Sequence, residues 1–166
     1  MDAILNRKSI RKYKDLKISE EIVEDLLRAG MQAPSAGNGQ PWEFIVLRDK
    51  KIMKKITKIH PYSQMLLNTD VAIIVCGNEE KEVFKGMWVQ DCSAATENIL
   101  LAVEDKGLGA VWLGVYPAEE RVDAIKELLN LPASIIPLSI IPVGYPAEQR
   151  KPADRFDKTR IHYDRW

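Results

Sequence analysis

Residues 83–106 read as the longest helical segment in the chain, and their composition restricts where such a helix can sit. Trp88, Val89, Ala94, Ala95, Ile99, Leu100, Leu101 and Val103 fall all round the helical wheel. A helix apolar on more than one side is central to its fold or packs on a second subunit. Its middle, Cys92-Ser93-Ala94-Ala95-Thr96, is unusually small, which lets another helix approach closely. Gly107 follows as the C′ residue that ends it.

The segments around this helix alternate in type. Asp2 reads as the cap of a short first helix carrying Ile4 and Leu5. Ser19 is the expected N-cap of an amphipathic helix over 20–32, with Glu20 and Glu21 in its first turn and an Ile18–Val23 staple. Residues 42–47 and 71–76 are aromatic or β-branched and read as buried strands. Asp49 caps a helix with Ile52, Met53, Ile56 and Ile59 on one face and lysines on the other. A short helical stretch follows Pro61. Residues 110–115 are expected to form a third strand, 119–129 an amphipathic helix, and 135–143 a fourth strand. Pro137 and Pro142 point to an edge position or strand ends for that fourth strand, because proline cannot donate to a ladder. The final stretch, 145–166, is charged and aromatic without periodicity, and is expected to lie on something, such as a partner subunit. No repeat, linker or low-complexity tract divides the 166 residues, so a single domain is expected.

Charge narrows the function classes. Lys plus Arg is 24 and Asp plus Glu is 24, so the basic excess expected of a nucleic-acid or anionic-membrane protein is missing. The longest pure apolar run, 71–76, is far short of the ~20 residues of a membrane span. The first residues lack a signal-peptide layout, making a cytoplasmic location the default expectation. Cys76 and Cys92 have neither metal spacing nor a CxxC pattern, and His60 and His162 have no HxxxH or HxxE partner. Both cysteines read as buried hydrophobes. Ser35, Ser93 and Thr96 lack a nucleophile elbow and an evident histidine base, and Glu97 and Glu104 read as helix-surface or interface charges.

Three sequence features carry ligand chemistry. The stretch Ala33-Pro34-Ser35-Ala36-Gly37-Asn38-Gly39-Gln40-Pro41-Trp42 is a loop. Gly37 and Gly39 can adopt positive φ there, and the Asn38 and Gln40 amides match the mixed donor–acceptor edge of a flat heterocycle such as a flavin. Arg7, Ser9 and Arg11, with Lys8 between them, form a basic cluster suited to phosphate. Arg150-Lys151 forms a second cluster, and two separated clusters in a neutral chain suggest convergence on one anion. Gly107-Leu108-Gly109 is not a dinucleotide fingerprint, since the helix precedes it and the strand follows.

With Arg7-Lys8-Ser9-Ile10-Arg11, the 33–42 loop, Gly107-Leu108-Gly109 with Trp112-Leu113-Gly114, and Gly144-Tyr145-Pro146 before Arg150-Lys151, the chain resembles the short members of the FMN-dependent nitroreductase family. The resemblance covers nearly the whole chain and rests on four motifs in order. It implies an α+β fold with a central, mostly antiparallel sheet flanked by helices. It also implies an obligate homodimer, with the long helix in the interface and the 145–166 arm exchanged between subunits. FMN would be bound by Arg7, Lys8, Ser9, Arg11, Trp112, Leu113, Gly114, Arg150 and Lys151 of one chain. Pro34, Ser35, Ala36, Asn38 and Gln40 would come from the other. The chemistry would be the flavin's, with no catalytic side chain and the backbone of Leu113 and Gly114 near N5. The implied activity is NAD(P)H oxidation coupled in a ping-pong cycle to nitroaromatic, quinone or similar acceptors. The alternative is a flavin-storing or flavin-sensing protein of the same fold.

Overall fold

The structure, a computed structural model, describes residues 1–166. Its helices are α1 (Asp2–Asn6), α2 (Glu20–Met31), α3 (Lys50–Ile59), α4 (Trp88–Asp105) and α5 (Glu119–Leu129). Its strands are β1 (Trp42–Leu47), β2 (Val71–Asn78), β3 (Gly109–Ala110), β4 (Leu113–Gly114) and β5 (Ile135–Gly144). The strands form one sheet in the order β1-β2-β5-β3, with β4 also on β5, and every ladder is antiparallel.

Alternation along β2 sorts the core into two layers. Val71, Ile73 and Val75 face α2 and α4, packing with Leu26, Cys92, Ala95 and Ile99. Ala72, Ile74 and Cys76 face α3 and α5, packing with Met53, Ile56, Val122 and Ile125. Both faces of β2 are therefore covered, which explains its unbroken apolar run. Local signals set the flanking helices. The Ser19 hydroxyl accepts from the Ile22 N–H, and the Asp49 carboxylate accepts from the N–H groups of Lys51 and Ile52. Ile18 and Val23 are both buried as a staple requires. Gly30 lets Ile99 of α4 close on α2: a Cβ there would lie 3.1 Å from the Ile99 side chain.

Four local expectations are corrected. Residues 83–87 do not join α4, which starts at Trp88. Gly86 adopts a left-handed φ of 84°, and Val83 packs over the 37–39 turn instead. The expected strand 110–115 is two short pieces, β3 and β4. The strand β5 is central, not an edge, although it contains both prolines. Pro142 is accommodated because its carbonyl faces the side where β3 and β4 part, lying 3.2 Å from the Tyr13 hydroxyl. A residue's N and C=O share one side of a strand, so no ladder partner there needs a proline N–H. Pro137 lies beside the register shift between Val75 and Cys76, a tolerated bulge position. Finally, α1 is preceded by Met1 without a side-chain cap, and Asp2 sits inside its first turn.

Candidate functional site

Residues 9–14 are stitched between β3 and the start of the C-terminal arm. The Ile10 N–H donates to Ala110 O (2.8 Å), Lys14 N–H to Tyr145 O (2.8 Å) and Ala147 N–H to Lys12 O (2.8 Å). Two glycines permit this approach. A Cβ on Gly109 would lie 2.7 Å from Ile10 Cγ2, and one on Gly144 2.8 Å from Tyr13 Cδ1. Tyr13 is buried, and that burial pushes its phenol well above the usual tyrosine range.

The stitching brings Lys8 of the first basic cluster to the second. Lys8, Arg150 and Lys151 line one cavity of about 510 Å³, together with Glu104 and Glu148. The carboxylates hold the cations in place: Lys8 Nζ lies 2.6 Å from Glu104 and Arg150 Nε 3.2 Å from Glu148. Arg7 Nε sits 3.7 Å from Glu97. Glu148 also accepts from the backbone N–H groups of Arg11 (2.6 Å) and Lys12 (3.3 Å). The Arg11 amide, with help from Arg150 and the Lys12 amide, holds its carboxyl below the usual glutamate range. The Glu148 carboxylate is thus seated by the Arg150 guanidinium and two backbone amides.

A second hollow of about 290 Å³ lies beside β4, lined by Arg11, His60, Tyr62, Val111, Trp112, Leu113, Gly114 and Arg121. The Leu113 side chain is buried in the α3–α5 core layer, so its main chain is what reaches the hollow. Val115 donates its N–H to Leu138 of β5 (2.9 Å). Strand alternation therefore turns the N–H and C=O of Gly114 to the opposite, free edge. There the Gly114 carbonyl accepts from His60 Nε2 (2.9 Å) and Arg121 Nη1 (3.2 Å). His60 Nδ1 accepts from the Tyr62 N–H at 3.2 Å, so the proton of the neutral ring is on Nε2. Burial, more than any other influence, keeps the His60 pKa below the usual histidine value. A Cβ on Gly114 would meet nothing within 4 Å; the space over this edge is open.

The 33–41 loop lines neither hollow. Pro34, Ser35 and Ala36 border a third surface with Met87, Gln90, Asp91 and Ala94 of the α4 region. Buried Asp91 fixes the loop by accepting from the Ala36 N–H at 3.0 Å. The Ser35 hydroxyl accepts from the Gln40 N–H (3.0 Å), and the Gln40 amide donates to Asn38 Oδ1 (3.2 Å). Gly37 takes positive φ as expected, but Gly39 does not; Asn38 and Gln40 do instead. Gly39 is small for another reason, since a Cβ there would lie 3.0 Å from the Lys81 carbonyl.

The residues singled out from sequence thus occupy three surfaces of one chain. Ser9 forms a parallel bridge with Ala110 between the first two. Sequence reasoning missed His60, Tyr62, Arg121, Glu148 and Asp91. His60 stands out in sequence only by its lack of metal spacing, and Arg121 is one of several charges on an amphipathic helix. His60 has no local signal, because it is defined by contact with Gly114 from 54 residues away; Arg121 is only seven residues beyond Gly114, and its role depends on how the chain folds back between β4 and α5.

An antiparallel sheet between two helical layers, with cations from both chain ends gathered on one edge, defines an α+β fold of the nitroreductase type. The family model described as "Nitroreductase family" matches residues 4–70 and 59–145, and the chain belongs to that family. An Archaeoglobus fulgidus protein named "Putative NADH dehydrogenase/NAD(P)H nitroreductase" is 50% identical over 167 residues, covering 98% of this chain and 96% of its own. A structure of an FMN-dependent nitroreductase from Clostridium difficile superposes with a TM-score of 0.91 at 30% identity, covering 100% of both chains. A "putative nitroreductase in complex with FMN" from Desulfovibrio desulfuricans superposes with a TM-score of 0.86 at 31% identity, covering 99% of this chain and 96% of that one.

Proposed function

We propose that this protein is an FMN-dependent NAD(P)H oxidoreductase whose 166 residues act as one FMN-binding domain within a homodimer. The observation that carries the reading is the meeting of Lys8 with Arg150 and Lys151 around one cavity. The open Gly114 edge lies in the neighbouring hollow, with Arg11 beside it. The donor set fits FMN. The cations and the amides that now hold the Glu148 carboxylate suit a phosphate, and the glycine edge leaves room for a flat ring. The Archaeoglobus relative's name and the FMN in the Desulfovibrio structure support the same assignment.

FMN supplies the hydride chemistry when bound. The protein's part is to orient and polarise. Arg7, Lys8, Ser9, Arg11, Arg150 and Lys151 bind the phosphate and the pyrimidine edge. The main chain of Trp112, Leu113 and Gly114 presents the open strand edge to the ring. NAD(P)H and the acceptor, a nitroaromatic, a quinone or a similar small molecule, use the same opening in turn, which is a ping-pong cycle. Pro34, Ser35 and Ala36 line a separate surface, and with Asn38 and Gln40 of the same loop they serve the site of the partner subunit. The arm from 145 onward exposes Phe156, Tyr163 and Trp166, a set of aromatics that reaches across to the other subunit.

Reconstitution tests this. The purified protein titrated with FMN binds it, and NADH or NADPH bleaches the bound flavin under anaerobic conditions. Arg7→Ala and Arg150→Ala each weaken FMN binding at least about tenfold, in line with the ~1.5–3 kcal/mol of a charge-assisted hydrogen bond. A wild-type protein that ignores FMN rules the proposal out. A flavin that neither nicotinamide reduces turns the reading to storage or sensing.

A further inference from the structure

Arg11 and Arg121 are the charged residues that line the hollow beside β4; no carboxylate borders it. Around the neighbouring cavity three cations are engaged, Arg7 by Glu97, Lys8 by Glu104 and Arg150 by Glu148, while Lys151 has no carboxylate partner. Neither Arg11 nor Arg121 takes part in any salt bridge of the chain. His60 is held neutral by the Tyr62 N–H on its Nδ1 and by burial. The positive charge of this hollow therefore comes from two guanidiniums, delivered from chain positions 110 residues apart.

Arg121 is held in place. It sits in the first turns of α5, and its Nη1–H donates to the Gly114 carbonyl at 3.2 Å. That bond fixes the fork, so little further ordering is needed to use its charge. Two like charges bordering one hollow repel each other. The chain relieves this with no carboxylate of its own, so the hollow favours whatever adds negative charge to it.

We propose that Arg121 is a charge-supplying residue of the site, and that with Arg11 it makes the hollow favour the anionic, reduced form of FMN over the oxidised form. This rests on the FMN assignment proposed above. Hydride transfer from NAD(P)H to FMN adds two electrons and one proton, so the ring gains one negative charge and the nicotinamide leaves as NAD(P)⁺. A fixed cation beside the ring stabilises the product of that step more than its reactant.

The test separates charge from structure. Arg121→Gln removes the charge but keeps a donor for Gly114, Arg121→Met removes both, and Arg121→Lys keeps the charge. Apoprotein of each variant is titrated anaerobically with oxidised FMN and with dithionite-reduced FMN, and the midpoint potential of the bound flavin is measured. The expected result is that Arg121→Gln and Arg121→Met weaken binding of reduced FMN about tenfold more than that of oxidised FMN. For a two-electron couple this is a fall of ~30 mV in midpoint potential. Arg121→Lys stays within about threefold of wild type in both states. Equal losses for the two redox states, no loss, or an Arg121→Lys variant as impaired as Arg121→Gln would each overturn the proposal. Wild-type apoprotein that binds FMN in neither state overturns the FMN assignment itself, and shows up before any variant is compared.

Discussion

Gly114→Ala separates the open strand edge from the rest of the fold. The backbone at 114 lies outside the left-handed region, and an added Cβ meets nothing within 4 Å. The substitution is therefore unstrained in the unliganded chain. Replacing Gly by Ala at such a position reduces the freedom of the unfolded chain, favouring the folded state by about 0.4–1 kcal/mol. At roughly 2–4 °C per kcal/mol for a chain of this size, the apoprotein melts at the wild-type temperature or a few degrees above it. FMN binding responds in the opposite direction. The methyl group fills space that a planar ring would occupy against the strand, and the two cannot share it. A loss of at least about tenfold in FMN affinity is expected, ~1.4 kcal/mol. Differential scanning fluorimetry of apoprotein and fluorescence-quenching titration with FMN provide the two numbers. Unchanged FMN affinity would show that the ring does not lie against Gly114. A melting temperature several degrees below wild type would show that the space over the edge is not open.

Three further outcomes follow from the packing and the titrating groups. Gly77→Ala places a Cβ 2.2 Å from Trp88 Cε3, beside a ring only 4% exposed; overpacking of this kind costs ~1–3 kcal/mol, and calorimetry should show a clear drop in melting temperature where Gly114→Ala shows none. Glu148 is held below its ordinary pKa in the folded chain, so its contribution is complete above the unfolded glutamate value and disappears as pH falls through the lower folded value. The stability difference between wild type and Glu148→Gln is thus largest at neutral pH and closes on acidification, and a gap that widened below pH ~4 would contradict this assignment. Burial pushes the Cys76 and Cys92 thiols up to about 12, so both resist alkylation in native protein at pH 8 and react once it is denatured, as mass spectrometry of the alkylated protein will report.

Much of the local structure is legible in the residues themselves. Ser19, Asp49 and the apolar spacing of 20–31, 50–59 and 119–129 define helices because a cap and a 3.6-residue period act within a few residues. The run 71–76 reads as a strand for the same local reason, and its covering on both faces agrees with its lack of alternation. The four motifs also pointed to the family, and Lys8 of the first basic cluster does line one cavity with Arg150 and Lys151 of the second. Where reading by segment failed, a distant partner intervened. Val83 left the long helix to pack on the 37–39 turn, Gly39 is small because the Lys81 carbonyl lies over it, and β5 carries two prolines into the sheet centre because its neighbours break or bulge beside them.

The long helix shows the division most clearly. Its small centre and its apolar residues on several sides are legible in the composition, and they point to a central position or a second-subunit contact; its start at Trp88 rather than Val83 is not. The tertiary structure decided what that position serves. One side of α4 closes on α2 through Gly30, and a buried hydroxyl contact joins Thr96 to Ser139 of β5. Asp91 ties down the loop, while Glu97 and Glu104 hold Arg7 and Lys8. Helix periodicity is a property of neighbours three or four residues apart and can be read directly. The meeting of Arg11 and His60 with the Gly114–Arg121 stretch depends on pairings between segments about 50 to 110 residues apart, whose loop-closure cost and geometry leave no mark in any local stretch.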